Sequence, residues 1–316
     1  MKGFNLAAFA LALACLLNAA GAARGQGAGQ AQTRHAGEAQ TRGAGATQTP
    51  QADERLARLL ARVGEAVERY QRGLFGIKFT ETVRREELKE DLTPKHSKEY
   101  VYESVTTRES LSDAEGDYFA RTVSRLETID GHAAKNNGSD PAPNHEDFLN
   151  FLLPKFQSLY RFSFEGEELL RGRRTFRVGA ERPGDEEPRV EWEGGSFVAF
   201  APMHMAVWVD AETGDVLQIE SRLVRPFEFD SPHASVAGPF GRFSPSRRLR
   251  YERDDYSVRF RPVHFKDPDQ TLLLPEYAEW LWIIEGARRP RTRVTISFTN
   301  YQRFVSDVKV IEDPDE

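Results

Sequence analysis

The first patterned segment of the chain carries apolar residues at steps of three and four. Most positions between them hold Arg, Glu or Ala. The apolar positions are Leu56, Leu59, Leu60, Val63, Val67 and Tyr70. This spacing predicts an amphipathic helix over residues 53–72, with an apolar face that lies against a sheet. Thr49 suits the N-cap, Pro50 the first helical position and Gly73 the position beyond the helix end.

After this helix the apolar period changes to two, which is the period of a strand with one buried face. Phe75, Ile77 and Phe79 begin this alternation, and later segments repeat it. Candidate strands include 98–109, 118–129, 173–180 and 216–224. A short second helix is predicted at 146–153, before Pro154. The predicted fold class is mostly β (α+β), with about eleven antiparallel strands and two helices packed on them.

Two short sequences are interpreted as turns. Asp254 and Asp255 separate the candidate strands 247–253 and 256–265, and adjacent Asp residues favour a hairpin turn. Their use as a catalytic acid and base would need a cleft that perturbs their pKa values. Gly194 and Gly195 precede Ser196 between two apolar segments, which indicates a hairpin turn. The sequence contains no G-x-S-x-G nucleophile elbow, and no catalytic residue is predicted.

The N-terminus has the parts of a secretory signal peptide. Lys2 is followed by an apolar run over residues 6–17 and by small residues up to Ala23. We expect residues 1–22 to be a signal peptide, 23–51 a disordered low-complexity linker, and 52–316 a single β-rich domain. The protein is therefore predicted to be periplasmic or secreted. The single cysteine, Cys15, lies in the signal peptide, and its lipidation is the alternative interpretation.

Charge and motif content exclude several classes of protein. The formal net charge is −6, so the chain lacks the basic surplus of a nucleic-acid-binding protein. No apolar stretch of the mature chain is long enough for a transmembrane helix. The seven His residues show no zinc-binding spacing, and no nucleotide-binding glycine motif occurs, so no metal or cofactor is predicted. In the segment Met203, His204, Met205, strand periodicity favours core methionines and a surface histidine.

An export signal, an amphipathic helix and a long antiparallel meander together resemble the LolA/LolB-like superfamily of periplasmic lipoprotein and lipid carriers. Three segments are also similar to exported bacterial proteins of that architecture: VWVDAETGDVLQIESRL (207–223), HFKDPDQTLLLPEYAEW (264–280) and FTNYQRF (298–304). The resemblance covers about residues 53–311 and implies an antiparallel open half-barrel closed by helices. The chain departs from an apolar concave face at charged strand residues, namely Arg121, Arg125, Arg259 and Arg261.

The resemblance implies a non-catalytic carrier that holds a hydrophobic or lipid-like ligand between the sheet and the first helix. The residues expected to contact this ligand are Leu60, Val63, Tyr160, Phe162, Phe164, Trp280 and Trp282. Alternatively, the same side chains fill a core, and the protein is a structural or protein-interaction module with a partner in the cell envelope. A hydrolase without a recognised motif is a third hypothesis. The first two hypotheses differ in whether the space under the helix is empty or packed.

Overall fold

The computed structural model describes residues 50–110, 118–134, 146–183, 187–193, 196–231 and 247–304. Helix α1 spans Pro50–Gly73, a 3-10 helix spans Glu146–Leu152, and the short helix α2 spans Pro154–Gln157. Helix α1 and the 3-10 helix therefore lie where the sequence predicts helices, and α2 follows the predicted second helix. The predicted signal peptide, nearly all of the predicted linker and the Thr49 cap lie outside the described residues.

Fourteen strands are present in the described part of the chain. Their bounds are β1 Ile77–Leu88, β2 Pro94–Ser110, β3 Tyr118–Ile129, β4 His132–Ala133, β5 Arg161–Leu170, β6 Arg173–Glu181, β7 Arg189–Glu193, β8 Ser196–Phe200, β9 Met203–Asp210, β10 Val216–Leu223, β11 Phe227–Ser231, β12 Arg247–Lys266, β13 Asp269–Glu285 and β14 Arg291–Arg303.

Twelve of these strands form one antiparallel open sheet. The strand order is β4-β3-β2-β1-β14-β13-β12-β10-β9-β6-β5, and β11 pairs with one end of β12. Among the described strands, β4 and β5 are the two edges, so the sheet does not close into a barrel. Strands β7 and β8 pair antiparallel in a separate two-stranded sheet, and the predicted turn at Gly194 and Gly195 lies outside the described residues. The prediction of a mostly β, open antiparallel fold with helices packed on it is confirmed.

The predicted turn at Asp254 and Asp255 is wrong. Strand β12 runs without interruption through both residues. Asp254 pairs with Trp282 of β13, and Asp255 pairs with Arg222 of β10. Because β12 has a hydrogen-bonded neighbour on each side at this point, the sheet overrides the local turn preference of the two Asp residues.

The helices cover one face of the sheet, which we call the inner face. A row of directly paired residues crosses this face from β5 to β2. Its members are Phe164, Val178, Val207, Ile219, Val258, Ala278, Ile296, Val83 and Tyr100. All of them belong to the main apolar core or pack against it, together with residues of α1 and the 3-10 helix. The core therefore lies between the inner face and a single helical layer.

The connection from α1 into β1 depends on Gly76, which has a φ of 71°. A Cβ at this position would lie 2.5 Å from the backbone oxygen of Phe304. Gly76→Ala is expected to lower the free energy of unfolding by about 2 kcal/mol, through backbone strain and this contact. Gly131→Ala is the matched control, because Gly131 has a φ of 76° and open space around it. Urea unfolding of both variants should show the larger loss for Gly76→Ala; equal losses would contradict the close approach.

Candidate ligand-binding face

The three predicted aromatic residues at the start of β5 lie at one end of the inner face. Phe162 pairs with Ala180, and Phe164 pairs with Val178. The ring of Tyr160 lies 5.5 Å from the ring of Phe151 in the 3-10 helix, measured between centroids. Burial raises the pKa of the Tyr160 hydroxyl above its ordinary value. These side chains pack against the main core.

The two predicted tryptophans project from β13 onto the same face. Trp280 pairs with Tyr256 of β12, and the centroids of their rings are 4.5 Å apart. Phe148 of the 3-10 helix lies over this pair, with ring-centroid distances of 4.8 Å to Tyr256 and 5.8 Å to Trp280. Trp282 packs against both the main core and a smaller apolar cluster around Phe229. The 3-10 helix therefore covers the aromatic centre of the inner face.

The two helix residues that are predicted to contact the ligand differ in how far they are buried. Val63 is 1% exposed, whereas Leu60 is only partly buried. Both pack in the main core that also contains or touches the five aromatic residues. The structure thus brings all seven predicted residues into one apolar layer, where they contact protein side chains.

Two small cavities lie between α1 and the strands. Each has a volume of about 20 Å³, enough for about one water molecule. Tyr70 lines both cavities, and none of the seven predicted residues lines either one. Small-molecule pockets commonly measure about 300–1,000 Å³. A ligand with an acyl or alkyl chain therefore does not fit in either cavity unless the helical layer moves.

Amide side chains connect the parts of the helical layer to each other. Gln71 Nε2 of α1 donates to Asn150 Oδ1 of the 3-10 helix over 2.6 Å. Gln157 Nε2 of α2 donates to the Leu60 carbonyl over 3.0 Å and to the Leu152 carbonyl over 2.7 Å. These bonds join α1, the 3-10 helix and α2 into one unit.

Polar contacts between this unit and the sheet lie at its exposed rim. Arg62 donates to the Glu212 carbonyl over 2.7 Å, at the turn between β9 and β10. Arg55 forms an ion pair with Glu167 at 2.5 Å, and the Arg55 side chain is about half exposed. Exposed ion pairs of this kind contribute about 0–1 kcal/mol each. Apolar contact is therefore the main force that holds the helical layer on the inner face.

The carboxyl group of Asp254 is buried on the inner face of β12, at a position that the sequence predicts to be a turn. Asp254 is 7% exposed, and Tyr251 Oη donates a hydrogen bond to its Oδ2 over 3.0 Å. Burial raises the pKa of Asp254 from 3.8 to about 6; the Tyr251 hydrogen bond opposes this change, and the charge of Asp255 adds to it. Burial also raises the pKa of Tyr251 well above its ordinary value.

Charged strand residues are concentrated on the opposite, outer face. Arg259 follows the core residue Val258, and its guanidinium lies 4.5 Å from the ring centroid of Tyr277. Arg121 is exposed, and Arg125 forms exposed ion pairs with Glu103 and Glu127. These three arginines therefore lie outside the inner face. Arg261 lies beyond a bulge at Arg259/Phe260, with its guanidinium 5.9 Å from the Tyr301 ring centroid.

His204 lies between two carboxylates at the edge of the outer face. Its Nδ1 is 3.0 Å from Glu181 Oε1, and its Nε2 is 3.2 Å from Glu165 Oε1. Met205 packs against the main core, in agreement with the predicted alternation. Within the described ranges, no group of three or more His, Cys, Asp or Glu side chains is placed to hold a metal ion.

No protein-family model and no curated protein matches the chain. Solved structures similar to it include a LolA superfamily protein from Nitrosomonas europaea, at 8% identity and a TM-score of 0.33, covering 78% of this chain and 95% of the other. A DUF1329 family protein from Desulfovibrio piger matches at 12% identity and a TM-score of 0.34, with 81% and 94% covered. The lipoprotein LppX from Mycobacterium tuberculosis matches at 10% identity and a TM-score of 0.29, with 79% and 98% covered.

One of these matched structures is a LolA superfamily protein, and the sequence also resembles that superfamily. All three TM-scores are below 0.5. As for membrane spans, none of the helices in the described residues combines the length and the apolar character needed to cross a bilayer.

Proposed function

We propose that the protein is a non-catalytic, exported binding or carrier protein for a hydrophobic or lipid-like ligand with an apolar chain. The ligand lies on the inner face and takes the place of the helical layer. The observation that supports this proposal is the continuous apolar row from Phe164 to Tyr100, covered by one layer of helices that makes polar contacts with the sheet at its exposed rim. Export is inferred from the predicted signal peptide at residues 1–22.

The filled-core alternative has its own support. Cavities of about 20 Å³ leave the inner face closed, as in a structural or protein-interaction module with a partner in the envelope. Native mass spectrometry of the protein purified from the periplasm of an expression host separates the two functions. A co-purifying mass that organic extraction identifies as a lipid supports the carrier. A ligand-free mass that added lipids do not change supports the filled module.

A reversible crosslink tests whether the helical layer must move. A Cβ at Gly214 would lie 3.3 Å from the Cβ of Arg62, near the separation of about 3.8 Å found in disulfides. In the double variant Arg62→Cys/Gly214→Cys, the oxidised protein is expected to bind a fluorescent fatty-acid analogue at least about tenfold more weakly than the reduced protein. The reduced form of the same protein is the control for the substitutions, including the strain of Cys at a φ of 78°. Equal binding by both forms would show that the ligand site does not require displacement of α1.

A further inference from the structure

We propose that the ligand carries a hydrogen-bond-donating ammonium head group, and that Asp254 accepts this group among the aromatic side chains of β12 and β13. This inference rests on the proposed function, since it names the chemical class of ligand for the same face.

The first support is a buried acceptor atom with no donor. Asp254 Oδ2 accepts the bond from Tyr251, whereas Oδ1 is buried and has no hydrogen-bond partner among the described residues. A buried carboxylate oxygen without a donor destabilises a folded protein. A ligand that supplies an N–H donor would satisfy this oxygen.

The second support is the charge around Asp254. The two nearest cations in sequence are already paired: Arg253 forms an ion pair with Asp255 at 2.5 Å, and Arg250 forms one with Glu252 at 2.7 Å. Among the described residues, the side chains that shift the pKa of Asp254 are Tyr251 and Asp255, and neither is a cation. The site therefore favours a positive head group and disfavours a carboxylate or phosphate.

The third support is the aromatic surroundings. Trp282 is the direct strand partner of Asp254, and Trp280 is the partner of Tyr256, two residues further along β12. Carboxylate and aromatic groups together suit an ammonium ion, because the aromatic ring face attracts cations. The Tyr256 hydroxyl oxygen is also buried without a hydrogen-bond partner in the described residues.

The 3-10 helix is the element that would uncover this site. Phe148 lies on the rings of Tyr256 and Trp280. The 3-10 helix is seven residues long, and 3-10 hydrogen bonds have poorer geometry than those of an α-helix. Displacement of this segment would open the aromatic centre beside Asp254 to an alkyl chain with its head group at the carboxylate.

The test compares three probes of equal chain length: n-decylamine, n-decanol and n-decanoate. Each displaces a fluorescent apolar dye from the protein purified from the periplasm of the host. We expect n-decylamine to bind at least about tenfold more tightly than n-decanoate. Asp254→Asn should remove most of this preference for n-decylamine over n-decanoate. Asp255→Asn is the matched control and should keep the preference, since Asp255 is already paired with Arg253.

The outcomes separate the inference from the proposed function. If all three probes bind equally well to the original protein, the ligand face exists and the ammonium inference is wrong. If none of the probes binds, the proposed function is wrong as well. The preference of the unaltered protein tests the inference independently of the Asp254→Asn variant.

Discussion

Val63→Asp is expected to detach helix α1 from the sheet while the sheet itself stays folded. Val63 is 1% exposed, so the new carboxylate would be buried without a partner, which destabilises by about 3–5 kcal/mol. The polar contacts at the rim are too weak to hold the helix against this loss. In far-UV circular dichroism the helical signal should fall and the strand signal should remain. Binding of an apolar dye such as ANS should rise, because the inner face becomes exposed.

Ala61→Asp is the matched control on the same helix, because Ala61 is exposed. This variant should stay within about 1 kcal/mol of the original protein and should bind no more dye. A different result of the circular dichroism experiment on Val63→Asp would also be informative. If helix and strand signals are lost together in a single transition, α1 is an integral part of a filled core, and the carrier hypothesis loses its movable layer.

Sequence periodicity predicts the architecture well where one face of an element is buried. The three- and four-residue steps from Leu56 to Tyr70 predict α1 to within a few residues of its observed bounds, Pro50–Gly73. The period of two predicts β3 as Tyr118–Ile129. The prediction fails at Asp254 and Asp255 because local turn preference says nothing about neighbouring strands. There, β10 and β13 hold both residues in the ladder.

The candidate site is only partly visible in the sequence. Helical spacing and strand alternation identify seven side chains that the structure places in one layer, yet neither pattern can show whether helices fill that layer. A signal for Asp254 is present in the sequence but conflicts with the turn interpretation: Val258 and Tyr256 occupy inner positions, and one further step of two residues reaches Asp254. Its burial and its bond with Tyr251 depend on a bulge between Tyr251 and Arg253, which periodicity does not predict.

Asp254→Asn is expected to stabilise the protein at neutral pH and to have less effect in acid. The pKa of Asp254 is raised from 3.8 to about 6 in the folded state, so the folded protein holds this proton more tightly than the unfolded chain. The contribution of Asp254 to stability is therefore complete below pH ~4 and is lost as the pH rises to ~6. The loss corresponds to about 3 kcal/mol. The amide side chain of the variant carries no charge and would avoid this loss.

The measurement is urea unfolding of both proteins between pH 4 and pH 8. Other titrating groups cancel in the comparison, so the advantage of the Asn variant should grow by about 2.4 kcal/mol between pH ~4 and pH ~7 and stay nearly constant above that. Tyr251→Phe offers an independent check. The Tyr251 hydrogen bond lowers the pKa of Asp254, so its removal should move the pH window upward. A difference that does not depend on pH would mean that water reaches Asp254, and a water-exposed carboxylate would give little selection for an ammonium head group.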